Sequence, residues 1–262
     1  MACSRYQEFL DFAKKLALGG GALALAHFGD VRPEWKPDRS VVTRADLAVE
    51  KMIREAVLKR YPRHSILGEE GTREIRDLDG PVWVIDPVDG TSAFTRCLPI
   101  WGVSVACFED RRPVAGAFFM PVLNDLYTAT CDGPSFYGKE PIRIPEPGPA
   151  DEESLLLVSS DFHKMAENRY PGKCRALGST AANVCYVARG CATAEVTQGS
   201  YIWDVGAVGL ILERAGGELR YLDGRPMDLG AVLEQTRTDG FYVASHPKAF
   251  DTVRETIRPY ER

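Results

Sequence analysis

The 262-residue sequence predicts an α/β (α+β) fold built in layers, with sheet packed between helices. Three observations lead there. Two segments with helical apolar spacing open the chain, several strand-type runs then follow one another, and strands and helices alternate in the second half. A hydrophobic content of 45% supports a large core and excludes a disordered chain.

The first helix spans Tyr6 to Phe28, on the spacing of Phe9, Phe12, Ala13 and Leu16. Gly19-Gly20-Gly21 interrupts it. No strand precedes that run and no Gly-Lys-Ser/Thr follows, so it reads as close helix packing and not as a phosphate loop. Trp35 to Val42 reads as a loop or hairpin. Thr43 starts a second helix that Pro62 ends near Arg60. Ile66 to Glu70 looks like a short strand ending in acidic residues. Val82 to Ile85 is a strand that stops at Asp86-Pro87-Val88-Asp89-Gly90-Thr91, where a helix opens. Val103–Phe108, Val114–Phe119 and Asp125–Thr130 are further strands.

Four prolines in Pro141 to Ala150 mark a linker, dividing the chain into halves at 1–145 and 146–262. Beyond it, strands are expected at Leu155–Val158, Thr193–Val196, Glu218–Leu222 and Phe241–Ala244. Helices are expected at Ala181–Ala188, at Val205–Ala215 (ended by Gly216-Gly217) and from Lys248.

The formal net charge is −5, which gives no electrostatic reason to expect nucleic acid. No apolar run reaches membrane-spanning length and no signal-peptide pattern opens the chain. Seven scattered cysteines without a CxxC pair argue against disulfides and zinc, and read mostly as core fillers. The expected setting is the cytoplasm.

The informative residues are carboxylates at segment ends. Asp86 and Asp89, three positions apart around a turn, can converge on one point. Two anions held that close need a cation, and hard oxygen ligands suit Mg²⁺. The alternative is that Asp86 caps a helix and Asp89 supports the turn. Gly90-Thr91-Ser92 then opens a helix, where backbone N–H groups bind anions. Glu69, Glu70 and Asp204 also have plain structural readings, as a solvated pair and an N-cap. Thr43-x-x-Asp46 reads as a capping box.

Taken together these residues resemble the inositol monophosphatase family of Mg²⁺-dependent, lithium-sensitive phosphatases. The resemblance rests on Val42-Thr43-Arg44-Ala45-Asp46, Gly68-Glu69-Glu70, Trp83 to Thr91, Gly178-Ser179-Thr180-Ala181, Trp203 to Ala207 and Ala215-Gly216-Gly217, in that order along the chain. It implies a five-layer α/β/α/β/α sandwich, a homodimer, and two to three Mg²⁺ ions per site. Glu69, Asp86 and the Val88 carbonyl would hold one ion. Asp86, Asp89 and Asp204 would hold a second, and a third would sit near Glu69. Asp46, Glu69 and Thr91 would carry catalysis by activating a water. Asp89, Gly90, Thr91, Ser92, Ser179, Thr180 and Thr197 would meet the substrate, with Lys36 and Glu70 as further candidates. The implied substrate is a small phosphorylated metabolite of the inositol-1-phosphate, polyol or sugar type.

Members acting on inositol phosphates carry an acidic residue seven positions before the Trp-Asp aspartate, and an Ala-Asp pair earlier. Thr197 and Thr193 stand at those positions here, and a hydroxyl brings no charge. Glu195 and Gln198 lie nearby, and strand alternation decides which face each uses. The alternatives are therefore histidinol phosphate, fructose 1,6-bisphosphate or 3′-phosphoadenosine phosphate as substrate, or a non-catalytic regulatory member of the fold.

Overall fold

A computed structural model of the chain describes residues 5–30, 34–35 and 41–260. Helix α1 (Arg5–Leu25) leads to a hairpin of β1 (Glu34–Trp35) and β2 (Val41–Val42), and then to α2 (Arg44–Arg60). The first sheet follows: β3 (Ser65–Gly68), β4 (Arg73–Glu74) and β5 (Val82–Asp89), then, after the single turn α3 (Thr91–Phe94), β6 (Gly102–Glu109), β7 (Arg112–Met120), β8 (Asp125–Thr130), β9 (Ser135–Tyr137) and β10 (Glu140–Ile142). Its order is β10-β9-β8-β7-β6-β5-β3-β4, antiparallel except where β3 lies beside β5.

The rest of the chain runs through β11 (Leu155–Val158), β12 (Ala166–Asn168), β13 (Lys173–Arg175), α4 (Thr180–Ala188), β14 (Ala194–Gln198), α5 (Ile202–Arg214), β15 (Glu218–Tyr221), α6 (Leu229–Gln235), β16 (Phe241–Ser245), α7 (Phe250–Arg254) and β17 (Ile257–Pro259). Five of these strands form a second sheet in the order β13-β11-β14-β16-β15, while β12 pairs with β17.

Alternation along the strands sets the layers. On β5, Trp83 and Ile85 join Phe9, Leu16, Val49 and Ile53 of α1 and α2, while Val82 and Val84 join Val184 and Val208 of α4 and α5. On the second sheet, Ala194 and Val196 face outward onto Phe250 and Val253 of α7. The stack is therefore α1/α2, sheet, α4/α5, sheet, α7, the five layers expected. The glycine run is helical and serves packing. A Cβ on Gly20 would stand 2.9 Å from Val49, and one on Gly21 would stand 2.6 Å from Phe119. His64 also has a structural place, accepting at Nδ1 from Trp83 Nε1 at 3.0 Å and stacking on Tyr61.

Several boundaries differ from expectation. β5 does not stop at Ile85. It continues to Asp89 with a bulge between Asp86 and Asp89, and Pro87, which has no N–H to pair, sits in the bulge. The strand therefore carries the acidic pair itself. The proline-rich segment gives Pro141 and Ile142 to β10, and only 143–150 is irregular. Helix α6, capped by Asp228, was not anticipated. Among the described cysteines, only Cys107 and Cys185 are buried, and Cys97 and Cys191 are exposed. None of the described helices is long and apolar enough to cross a membrane.

Candidate active site

Three carboxylates meet where β5 ends against α4 and α5. One oxygen from each of Asp86, Asp89 and Asp204 lies within 4.8 Å of the others. The local fold holds each of them. Asp86 Oδ1 accepts from Val88 N at 3.0 Å across the bulge. Asp89 Oδ2 accepts from Ala181 N at 3.0 Å and from Ser179 Oγ, at the N-terminus of α4. Asp204 Oδ2 accepts from Tyr201 N at 2.7 Å. Asp204 is thus not the N-cap of α5. Tyr201 is, and the helix begins three residues earlier than predicted. Asp86 is likewise not a helix cap.

Asp46 and Glu69 flank this group. Asp46 Oδ2 accepts from Thr43 N at 2.8 Å and Thr43 Oγ1 at 2.5 Å, and it forms the expected capping box of α2. Its other oxygen faces Thr91, whose hydroxyl lies 3.3 Å from Asp46 Oδ1 and 3.0 Å from the Val88 carbonyl. Glu69 follows β3, its amide donating to Ile85 O at 3.2 Å, and its carboxyl is hydrogen-bonded to that of Asp86.

The electrostatics follow from this crowding. Burial lifts the Asp86 carboxyl well above the ordinary range, and the charges of Glu69, Asp89 and Asp204 lift it further. Asp204 rises for the same reason, with Asp89 and Glu69 as the added charges. Desolvation raises Asp46 to about 6 against the hydrogen bonds from Thr43, and raises Asp89 to about 6 against those from Ser179 and Ala181. Without a cation the cluster must keep protons, shared among Asp86 and the two carboxyls within its hydrogen-bonding reach, Glu69 and Asp204. An all-oxygen, buried donor set of this charge fits a hard divalent cation.

Beside the carboxylates the chain turns at Gly90, which has φ +91°. A Cβ there would meet Gly178 O at 3.0 Å and Ile100 O at 3.1 Å, so the turn needs glycine on both counts. The first amides of α3 have no intrahelical acceptor. Thr91 is half-buried and Ser92 exposed. Ser179 is buried, and its hydroxyl serves Asp89 and the amide of Ala182. Thr180 opens α4 next to Ala181, whose amide Asp89 accepts. Both therefore flank Asp89 in this arrangement. Thr197 lies buried on β14 opposite Tyr242. Lys36 lies outside the described residues.

Glu195 shares the inward face of β14 with Thr197, while Gln198 lies on the other face. It is fully buried, neither carboxyl oxygen has a hydrogen-bond partner, and burial followed by the charges of Asp89 and Asp204 lifts it well above the ordinary range. Sequence reading passed over Glu50. It is 4% exposed, one helical turn beyond Asp46, and its carboxylate takes the amides of Glu70 and Thr72. The available signal was its i, i+4 position to Asp46 on the buried face of α2.

The chain is similar to known proteins along most of its length. Mouse inositol monophosphatase 1 is 31% identical over 243 residues, covering 86% of this chain and 87% of the relative. A Thermotoga maritima fructose-1,6-bisphosphatase/inositol-1-monophosphatase is 32% identical over 223 residues, covering 82% and 86%. The solved structure of a Thermotoga maritima IMPase superposes with a TM-score of 0.83 at 29% identity, covering 95% of this chain and 96% of that one. The model of the inositol monophosphatase family matches residues 5–257, and the chain, a phosphatase, belongs to that family.

Proposed function

We propose that the chain hydrolyses a small phosphomonoester, with Mg²⁺ held by Glu69, Asp86, the Val88 carbonyl, Asp89 and Asp204. The observation that carries this is the mutual approach of Asp86, Asp89 and Asp204 within 4.8 Å in a setting that penalises three unneutralised charges. The family is metal-dependent, which supports Mg²⁺, and two to three ions fit the number of carboxylates. Bound Mg²⁺ supplies Lewis acidity toward the phosphate and the attacking water.

The protein's own groups orient the reaction. With the Thr91 proton directed to Asp46 Oδ1, the Thr91 oxygen is left to accept from a water, and Asp46 stands beside it to take up a proton. Glu69, beside Asp86, is the third group assigned to activating that water. The turn amides at Gly90, Thr91 and Ser92 receive phosphate oxygens. Ser179 and Thr180 act on the substrate side through Asp89. Thr197 lines the wall for the leaving group.

The substrate class read from this site is a polyol or sugar phosphate of the inositol-1-phosphate kind, supported by the names of the relatives. The uncharged Thr197 favours a less polar-selective wall, so fructose 1,6-bisphosphate, histidinol phosphate and phosphoadenosine phosphate belong in the same panel. A cytoplasmic homodimer of two-part subunits, divided near residue 145, completes the reading. The test is phosphate release from that panel with and without Mg²⁺, for the unmodified chain and for Asp86→Asn. Release that requires Mg²⁺ and falls at least 100-fold in Asp86→Asn is expected. Release from none of the panel with Mg²⁺ present refutes the proposal.

A further inference from the structure

We infer that Glu50 is a positioning residue for the metal-facing loop, setting Mg²⁺ affinity without touching metal or substrate. The inference rests on the reading of Glu69 as a metal ligand. Glu69 stands in the short loop between β3 and β4, whose direction decides where its carboxyl points. Glu50 grips that loop on both sides of its tip. Its Oε2 accepts from Glu70 N at 2.7 Å and its Oε1 from Thr72 N at 2.9 Å. Two further bonds close the frame, from Gly68 N to Thr72 O at 2.7 Å and from Glu69 N to Ile85 O at 3.2 Å. The backbone of Glu69 is therefore fixed directly on one side by β5 and through its neighbours by Glu50.

The sequence is built around this grip. Gly68 lies against the Glu50 carboxylate so closely that a Cβ there would stand 2.5 Å from Oε2 and 2.6 Å from Cδ. Gly68 is thus the space in which Glu50 sits. Gly71, with φ +108°, lets the loop turn back so that both amides reach one carboxylate. Asp46 projects from the same helix one turn earlier, and the capping box fixes the start of that helix. One rigid element therefore sets both the Asp46–Thr91 pair and, through Glu50, the Glu69 loop. A carboxylate that accepts two backbone amides cannot be replaced by an amide side chain without turning an NH₂ group toward one of the donors.

The test is Glu50→Gln, with Gly68→Ala as a second perturbation that pushes on Glu50 from the opposite side. Three readouts are taken: hydrogen exchange at the Glu70 and Thr72 amides of the metal-free protein, the Kd for Mg²⁺ by calorimetry, and kcat at saturating Mg²⁺. Both variants are expected to exchange those amides at least ten-fold faster and to bind Mg²⁺ at least five-fold more weakly, with kcat at saturation within about three-fold. Faster exchange with unchanged Mg²⁺ affinity makes Glu50 a structural brace only and overturns the inference. A fall in kcat at unchanged affinity overturns it as well. Asp204→Asn keeps the parent reading separate. If that variant binds Mg²⁺ as tightly as the unmodified chain, the metal reading falls; if only Glu50→Gln and Gly68→Ala are silent, the positioning role alone falls.

Discussion

Removing divalent cations should reverse the usual response of this protein to alkali. Asp46 and Asp89 each titrate at about 6 in the folded chain, above an ordinary value of 3.8, and burial is the main cause for both. A raised folded value means that the folded state holds its proton more tightly than the unfolded one. The associated stability is complete below 3.8 and is lost as pH rises through about 6. For one such group the loss between pH 5 and pH 8 is about 1.4 kcal/mol. That corresponds to a fall of about 3–6 °C in Tm for a chain of this size. Asp86 and Asp204 shift in the same direction and add to it, though coupled carboxyls do not sum independently.

The assay is a thermal melt of EDTA-treated protein from pH 5 to pH 8, beside a series in saturating Mg²⁺. His64 acts in the opposite sense, since burial and then the nearby Arg5 and Arg63 charges lower it, so its contribution is lost as pH falls. It acts equally in both series and cancels in their difference. The gap in Tm between loaded and metal-free protein should therefore widen from pH 5 to pH 8. A gap that is constant or narrows would mean that the carboxylates do not share a cation, and would refute the reasoning.

Two further outcomes are expected. Thr197→Glu should restore a charge-assisted contact worth about 1.5–3 kcal/mol, and so raise kcat/KM on inositol 1-phosphate about 10- to 100-fold relative to a phosphate ester without neighbouring hydroxyls; an unchanged ratio sinks the account of that wall. Glu195→Met replaces a buried acid whose two oxygens lack partners with an apolar side chain of similar length, and should stabilise the metal-free protein at pH 8 by about 1–3 kcal/mol; a lower Tm in a pH 8 melt would show that Glu195 is paired in solution.

The layered fold and most of the acidic set were legible in the sequence because both leave local marks. Apolar periodicity marked α1 and α2, and the alternation of strand-type and helical runs marked the second half. What escaped depended on partners distant in the chain. The bulge that extends β5 through Asp89 arises from pairing with Ser104 and Gly102 of β6, which no local pattern shows. Helix α6 is short and half-exposed, so its periodicity is weak. Glu50 looks like any helical glutamate until Gly68 and the β3–β4 loop are brought against it. Ser179 likewise reads as a substrate contact beside Thr180, but the fold turns its hydroxyl onto Asp89.

The structural and functional readings of each carboxylate are not alternatives, although the sequence sets them against each other. A carboxylate has two oxygens. Asp46 uses Oδ2 for its capping box and Oδ1 for Thr91. Asp86 gives Oδ1 to the Val88 amide, Asp89 gives Oδ2 to the start of α4, and Asp204 gives Oδ2 to the Tyr201 amide. In each case a hydrogen bond to a backbone amide fixes one oxygen of the side chain, and the carboxyls of Asp86, Asp89 and Asp204 converge. Hydrogen bonds to backbone amides are what aim these groups. A lone caged carboxylate would be a poor ligand if it were free to swing, and a cluster of unfixed carboxylates would spread apart. By tying one oxygen of each to the backbone, the fold carries the repulsion as raised proton affinity rather than as disorder. That repulsion is what a divalent cation, once bound, would relieve.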